Sequence, residues 1–203
     1  MALLKILLYS NTMTDYFKNF IRLMLREIRS RLSTSFQQKA SQQVCNRIKQ
    51  LEPYRYAKRI ALYHAVEGEI TLDNLWRSAP LQGKFCYFPA LTSDKTLVFL
   101  PATPATSFRK NRYNIPEPDV DFSFAIGINE IDILFLPLVA FDKHGTRLGM
   151  GAGYYDRTLT EQKSNLLLGV AYDFQRESFI QPHEWDIRLH AVVTPSQIYW
   201  STP

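Results

Sequence analysis

The stretch Ile131-Asp-Ile-Leu-Phe-Leu-Pro-Leu138 is almost continuous in apolar side chains. Strands at the centre of a parallel sheet are covered on both faces, so they appear in a sequence as short apolar runs rather than as alternating patterns. Residues 166–172 (LLLGVAY) have the same character. We predict that both stretches are buried strands of one sheet.

Helical and strand-like segments alternate along the rest of the chain. The proline-rich stretch 101–118 is predicted to be a surface excursion with little regular structure. Alternating strands and helices favour an α/β fold, here a single three-layer domain with a mainly parallel sheet between helices. The predicted helices are Thr14 to about Leu32, Ser33 or Ser35 to about Leu51 with Pro53 ending it, 72–79, and 154 to about 162, and the predicted strands are 59–64, 84–88, 96–100 and one or two within 192–200.

The composition fits one domain with a real core. The chain has 203 residues, of which 46% are hydrophobic and 21% are charged. A domain of this size buries roughly 70% of the surface that its unfolded chain exposes. We predict a disordered extension at 1–12, whose apolar run is too short to span a bilayer, and one α/β catalytic domain at 13–203. Cys45 and Cys86 lack the spacing of a metal or redox pair, which indicates buried free thiols of a reducing cytoplasm.

A basic helix face is predicted near the N-terminus. Lys18, Arg22, Arg26 and Arg29 follow one another at steps of three or four residues, so they share one side of a helix. The net charge of +5 would attract nucleic acid, a membrane surface or a small polyanionic substrate equally well. Three interpretations of this helix face therefore remain. It is a solvated surface, a basic RNA-binding module at 18–31, or a source of phosphate contacts from Lys18 and Arg22.

A glycine-rich loop follows the central strand, in the segment 142–158 (DKHGTRLGMGAGYYDRT). Gly149, Gly151 and Gly153 let backbone N–H groups crowd around an anion, and the next helix adds its positive N-terminal end. Arg147 and Asp156 flank these glycines, and phosphoryl transfer needs a cation and a carboxylate for magnesium. The spacing excludes a Walker A loop and a dinucleotide fingerprint. A structural turn and a CoA- or sugar-phosphate-handling α/β enzyme remain alternatives.

The run Pro137-Leu-Val-Ala-Phe-Asp142, followed by Gly145-x-Arg147-Leu-Gly-x-Gly-x-Gly-Tyr-Tyr-Asp156, closely resembles the signature of 5-formyltetrahydrofolate cyclo-ligases, also called methenyltetrahydrofolate synthetases. The resemblance extends over residues 18–200. It implies a monomeric, cytoplasmic ligase of one-carbon metabolism that closes 5-formyltetrahydrofolate, with or without a polyglutamate tail, into 5,10-methenyltetrahydrofolate. The resemblance also implies that ATP is the co-substrate and Mg²⁺ is the metal. It implies no nucleic-acid partner and no membrane partner.

The same resemblance implies roles for individual residues. Two loop positions, Met150 and Ala152, depart from the commonest family pattern and supply no cation, so more of the positive charge is expected from the N-terminal helix. The implied nucleotide-binding residues are Lys18, Arg22, Arg147, Gly149, Gly151, Gly153 and Tyr155; the implied substrate-binding residues are His64, Glu69, Tyr113, Met150 and Tyr154; the implied magnesium ligands are Asp156 and Asp186; and the implied catalytic residues are Arg147 and Tyr154.

Overall fold

The computed structural model describes residues 2–160 and 166–202, with side chains from Thr14 onward. The helices are α1 (Ala2–Ser30), α2 (Thr34–Gln50), α3 (Glu52–Tyr56), α4 (Asp73–Ser78) and α5 (Tyr154–Leu159). The strands are β1 (Arg59–Ala61), β2 (Phe85–Leu91), β3 (Leu97–Pro101), β4 (Phe108–Lys110), β5 (Pro116–Pro118), β6 (Ile133–Pro137), β7 (Ala140–Phe141), β8 (Arg147–Leu148), β9 (Leu166–Val170), β10 (Ala191–Val193) and β11 (Ile198–Trp200). Short 3-10 helices lie at Pro80–Gln82, Phe122–Phe124, Ile128–Glu130 and Asp173–Gln175.

Seven strands form the main sheet, in the order β11-β10-β9-β6-β1-β2-β3. The neighbours from β10 through β2 pair in parallel, and the edge strands β11 and β3 are antiparallel to them. Ile60 of β1 lies opposite Cys86 on one side and Ile133 on the other. The predicted α/β fold with a mainly parallel sheet is confirmed, and the carboxyl ends of the parallel strands lie along one edge.

The strand β6 is buried on both faces, as its apolar sequence predicted. Ile133 and Phe135 join the core beneath α2, α3 and α4, whereas Leu134 and Leu136 join the core beneath α5 and the 128–130 turn. None of these side chains is more than 1% exposed. Each such side chain contributes about 1.5–3 kcal/mol relative to an exposed one, so the strand is a main source of stability.

The ends of the first two helices show how local sequence sets the boundaries. Ser33 caps α2, because its hydroxyl accepts a hydrogen bond from the Phe36 amide at 3.3 Å. The helix ends at Gln50, and Pro53 then lies in the first turn of α3, where a missing N–H group costs nothing. Both cysteines are buried free thiols, as predicted.

Helix α1 packs across the loops at the carboxyl edge of the sheet. Ile21 and Leu25 contact the buried residues Val139 and Leu148. The helix begins at Ala2, earlier than the predicted start at Thr14. The side chains of residues 2–13 lie outside those described, and the extension at 1–12 stays a prediction. The expected end of α5 near 162 also falls outside the described residues. None of the described helices has both the length and the apolar character needed to cross a bilayer.

The prediction of little regular structure at 101–118 is wrong, because β4 and β5 form an antiparallel hairpin there. Proline is tolerated in strands that have a partner on one side only, and this sheet has two strands. The Asn111 side chain closes the turn by accepting hydrogen bonds from the Tyr113 and Ile115 amides at 2.8 and 3.1 Å. The hairpin carries Tyr113 at its tip.

Candidate active site

The order of the strands creates a crevice beside β1. The chain leaves β1 and returns as β2 on one side, whereas β6, β9 and β10 are added on the other side. Loops that follow neighbouring strands at such a switch point diverge to opposite faces and leave room for a ligand at the carboxyl ends. The loop after β1 carries Glu69, and the loop after β6 carries the glycines.

The glycine loop is shaped by Asp142 and Gly145. The Asp142 carboxylate is 2% exposed and accepts hydrogen bonds from the amides of His144, Thr146 and Ile180 at 2.9, 3.0 and 3.0 Å. Gly145 has φ +76°, and a Cβ there would lie 2.4 Å from the Leu189 carbonyl oxygen. Only glycine fits this position, so these two motif residues fix the path of the loop.

Arg22 joins helix α1 to the glycine loop across 127 positions of sequence. Its Nε donates to the Gly149 carbonyl at 2.9 Å, and its Nη1 donates to Asn19 Oδ1 at 2.7 Å. Gly151, with φ +98°, lies so close that a Cβ there would be 3.7 Å from Arg22 Cζ. The structure thus places a cation of the basic helix face against the predicted phosphate loop.

Two further cations lie beside the predicted magnesium ligands. The guanidinium of Arg147, buried in the loop, donates to the Asp156 carboxylate and to the Ile187 carbonyl. The ammonium group of buried Lys18 lies 3.8 Å from Asp186 Oδ2. Burial lowers the pKa of Lys18, and Asp186 opposes that shift. Each of the two carboxylates therefore faces a positive charge.

Asp156 and Asp186 fit a metal that arrives with phosphates rather than a cage made by protein alone. The charges of both carboxylates raise the pKa of Arg147, against the larger opposite effect of burial. The side chain of Asp156 is 28% exposed and that of Asp186 is 18% exposed. Across residues 2–160 and 166–202, no group of three or more His, Cys, Asp and Glu side chains could hold a metal ion. Magnesium commonly uses one or two carboxylates together with substrate phosphates, so this pair fits that chemistry.

Glu69 is buried at the crevice and is paired with an arginine whose role the sequence left undecided. Its Oε2 accepts a hydrogen bond from the Val66 amide at 3.1 Å, and its Oε1 lies 3.5 Å from Arg29 Nη2. Burial raises the pKa of Glu69 to about 7, and the positive charge of Arg29 opposes this rise. Burial also raises the pKa of Tyr155, with Glu69 adding to the effect. The phenol therefore stays neutral beside the carboxylate.

Tyr113 and Tyr154 meet at the open side of the crevice. Their hydroxyls lie 3.1 Å apart, and Arg112 donates a hydrogen bond to the Tyr154 hydroxyl. The hydrogen bond with Tyr113 lowers the pKa of Tyr154 most, and the hydrogen bond with Arg112 lowers it further. The hairpin tip and the start of α5 thus come together, and a substrate-binding role for the two tyrosines stays a prediction. Met150, in the glycine loop before α5, is half exposed. Arg112 carried no sequence signal beyond its neighbour Tyr113.

His64 lies in an aromatic cluster at the end of β1. Its ring stacks on Phe88 with centroids 4.6 Å apart and meets the edge of Phe108 at 4.6 Å. Its Nε2 is buried without a hydrogen-bond partner among the described residues. Burial lowers the pKa of His64, so the imidazole is held neutral. Packing accounts for these contacts, and a substrate-binding role stays a prediction.

The fold and the site together define an α/β protein with a switch-point crevice lined by glycines, cations and carboxylates. A sequence profile described as the 5-formyltetrahydrofolate cyclo-ligase family matches residues 15–195. The 5-formyltetrahydrofolate cyclo-ligase of Haemophilus influenzae is 40% identical over 177 residues, which cover 85% of this chain and 95% of the relative. That of Escherichia coli strain K12 is 37% identical over 184 residues, covering 87% and 99%.

Two solved structures agree with this result. The NMR structure of the 5,10-methenyltetrahydrofolate synthetase of Aquifex aeolicus has a TM-score of 0.80 at 29% identity, covering 92% of this chain and 93% of that chain. The 5,10-methenyltetrahydrofolate synthetase of Mycoplasma pneumoniae has a TM-score of 0.72 at 27% identity, covering 88% and 98%. The chain belongs to the 5-formyltetrahydrofolate cyclo-ligase family. The family predicted from the glycine-loop motif is confirmed.

Proposed function

We propose that this chain is an ATP-dependent ligase that converts 5-formyltetrahydrofolate to 5,10-methenyltetrahydrofolate and releases ADP and phosphate. Membership of the family supplies the reaction. The observation in the structure that best supports it is the hydrogen bond from Arg22 to the Gly149 carbonyl, because it brings the basic face of α1 to the glycine loop. A basic RNA-binding surface would give that loop no role.

The chemistry requires activation of an amide. The formyl group on nitrogen 5 is stabilised by resonance, so its carbon does not react with nitrogen 10 directly. In the proposed reaction the formyl oxygen attacks the γ-phosphorus of ATP, and the bond to ADP breaks. Nitrogen 10 then adds to the activated carbon and loses its proton to solvent, and phosphate departs with the former formyl oxygen. Positioning and charge neutralisation are the main contributions of the protein, without a protein nucleophile.

Lys18, Arg22 and Arg147 are the proposed cations around the triphosphate, with the glycine-loop amides between them. Met150 and Ala152 contribute no charge, so a cation supplied by α1 is needed in their place. Arg147 is the proposed stabiliser of the transferring phosphoryl group. Its fixed position, between Asp156 and the Ile187 carbonyl, limits reorganisation during transfer.

Asp156 and Asp186 are the proposed ligands of Mg²⁺. A bound magnesium ion offsets the negative charge of the phosphates during transfer. Omission of magnesium or addition of a chelator should therefore stop product formation. Undiminished product in the presence of a chelator would contradict the magnesium assignment while leaving the cyclisation itself intact.

Glu69 is the proposed acceptor for the pterin edge, since one carboxylate can accept paired hydrogen bonds from the pterin amino and ring N–H groups. Tyr113, Tyr154 and Met150 lie on the open side and are proposed to contact the rest of the folate. Tyr154 is also the proposed catalytic hydroxyl, because Tyr113 and Arg112 lower its pKa. His64 and Tyr155 are assigned to the walls of the folate and nucleotide sites. A monomeric state and a cytoplasmic location stay predictions.

The direct test mixes the protein with ATP, magnesium and 5-formyltetrahydrofolate and follows the strong near-ultraviolet absorption of the conjugated product. Product should form only when all three components are present. No product under these conditions would overturn the proposed function. Binding of ATP and of RNA, measured side by side, separates the enzyme from the nucleic-acid alternative, because only ATP should bind at micromolar protein concentrations.

A further inference from the structure

Arg29 is a buried arginine in the last turn of α1, and the proposed reaction has not used it. It is 1% exposed, the lowest value among the charged residues that the structure describes as buried. Its Nε donates to the Glu67 carbonyl at 2.9 Å, and its Nη1 donates to the Leu138 carbonyl at 3.3 Å. One guanidinium thus joins α1 to the loop after β1 and to the loop after β6.

The third nitrogen of this guanidinium faces Glu69. Nη2 lies 3.5 Å from Glu69 Oε1, and this buried nitrogen has no hydrogen-bond partner within the described part of the chain. The Glu69 side chain is 6% exposed. Its other oxygen, Oε2, is fixed by the Val66 amide. Because Oε1 is held by charge rather than by a hydrogen bond, it keeps lone pairs for donors on a ligand.

The backbone beside Glu69 is adapted to this approach of helix and loop. Gly68 has φ +75°, and a Cβ there would lie 2.8 Å from the Arg29 carbonyl oxygen. Tyr172 donates to the Gly68 carbonyl at 3.0 Å and holds the loop from the other side. A larger residue at position 68 would push the loop away from α1, and the Arg29–Glu69 contact would open.

We propose that Arg29 is a positioning residue for the folate reaction, which holds the Glu69 carboxylate ionised and oriented toward the donors of the pterin edge. The inference rests on the proposed function, since it takes Glu69 as the pterin acceptor. Arg29 itself lies behind the carboxylate and acts through it. Arg26, three residues earlier, pairs with the exposed Glu67 instead and provides a matched comparison on the same helix.

The charged and titratable groups around Glu69 come from several elements. Glu67 raises the pKa of Glu69 and Arg29 lowers it, against a larger upward effect of burial. Tyr63 after β1, Tyr155 of α5 and Tyr172 after β9 also face the carboxylate, and burial raises the pKa of each phenol, so they stay neutral. Loss of Arg29 therefore moves ionisation of Glu69 to higher pH, and a protonated Glu69 cannot accept both pterin hydrogen bonds.

The test measures the KM for 5-formyltetrahydrofolate and for ATP in full-length wild type, Arg29→Gln, Arg29→Lys and Arg26→Gln, from about pH 6 to about pH 9. In wild type the folate KM should rise as the pH falls through about 7, as Glu69 becomes protonated. In Arg29→Gln this rise should move up by about one to two pH units. Arg29→Lys should show a smaller upward shift, because an ammonium keeps the charge and loses the two carbonyl contacts. Arg26→Gln should match wild type, and the KM for ATP should stay within about twofold in all variants.

A purely structural Arg29 would lower activity or stability without moving the pH profile, so an unchanged profile in folded Arg29→Gln overturns the proposal. If that variant does not fold, Arg29→Lys carries the test, and a wild-type profile there overturns it equally. An equal shift in Arg26→Gln would also overturn it, because the effect would then be one of general charge. Wild type that forms no product would instead overturn the proposed function, and the two failures are thus distinct.

Discussion

Two arginine–glutamate pairs join helix α1 to the loop after β1, and they differ mainly in their surroundings. Arg26 and Glu67 meet through two hydrogen bonds of 2.9 Å, and their side chains are 39% and 46% exposed. Arg29 and Glu69 lie 3.5 Å apart, and their side chains are 1% and 6% exposed. The pair with the shorter distance between its charged groups is therefore the one exposed to solvent.

The comparison shows that distance alone does not rank ion pairs. Water and salt screen the exposed charges, so that pair contributes little however short its hydrogen bonds are. The buried charges lost their hydration on folding. Removal of either side chain leaves its partner without a compensating charge in a site that water does not reach. The raised pKa of Glu69, set first by burial and opposed by Arg29, is the signature of that second environment.

The largest expected effect is on stability when the buried pair is broken. Arg29→Ala should lower the free energy of unfolding by about 3–5 kcal/mol, because the buried partner of Glu69 and two hydrogen bonds to backbone carbonyls are lost together. Denaturant unfolding followed by circular dichroism measures the change. The double variant Arg29→Ala/Glu69→Gln should lose less than the sum of the single losses, since the partners are coupled. Additive losses would mean that the two side chains do not interact.

Sequence patterns predicted the sheet well and the neighbourhood of Arg29 poorly. The apolar run of β6 identified a central strand because burial on both faces leaves a local trace. Lys18, Arg22, Arg26 and Arg29 follow one another at similar helical steps of three or four residues. Lys18 and Arg29 are nevertheless buried, at 4% and 1% exposure, whereas the Arg26 side chain is 39% exposed. That difference depends on loops more than thirty residues away, around Glu67 and Leu138.

The same reasoning applies to the candidate site. The motif 145–156 led to the family because its residues are contiguous, and glycine at positive φ has a clear sequence signal. The family resemblance implied a nucleotide-binding role for Arg22, but its contact with Gly149 was not predicted. The hairpin of β4 and β5 was missed because prolines normally argue against strands. Each of these strands pairs on one side only, and that pairing is set by the tertiary structure rather than by the local sequence.

A second prediction uses Glu69 to test binding rather than folding. Glu69→Gln should weaken binding of 5-formyltetrahydrofolate by about tenfold or more, because a buried charge-assisted hydrogen bond is worth about 1.5–3 kcal/mol. ATP binding should change little. Calorimetric titration of each ligand separately, on protein shown to be folded by its melting curve, makes the measurement. Equal losses for both ligands would assign Glu69 to the fold alone.

A third prediction concerns Arg22, one turn before Arg26, which contacts a backbone carbonyl instead of a glutamate. Arg22→Ala should raise the KM for ATP several-fold and leave the melting temperature nearly unchanged, since a partly exposed arginine contributes little to folding. Arg22→Lys should recover only part of the loss, because an ammonium lacks the bidentate fork that suits phosphate oxygens. Wild-type dependence on ATP in both variants would show that Arg22 does not contact the phosphates of ATP.

The smallest expected effect comes from the exposed pair. Arg26→Ala should lower the free energy of unfolding by less than about 1 kcal/mol, because water already screens its interaction with Glu67. The loss should shrink further in high salt, whereas the loss in Arg29→Ala should persist, since a buried pair is shielded from ions. Parallel denaturant titrations of both variants at low and high salt make the comparison directly. The loss of stability in Arg26→Ala could instead equal the loss in Arg29→Ala and be insensitive to salt. Both pairs would then lie in the same low-dielectric environment, and the distinction drawn from their exposure would fail.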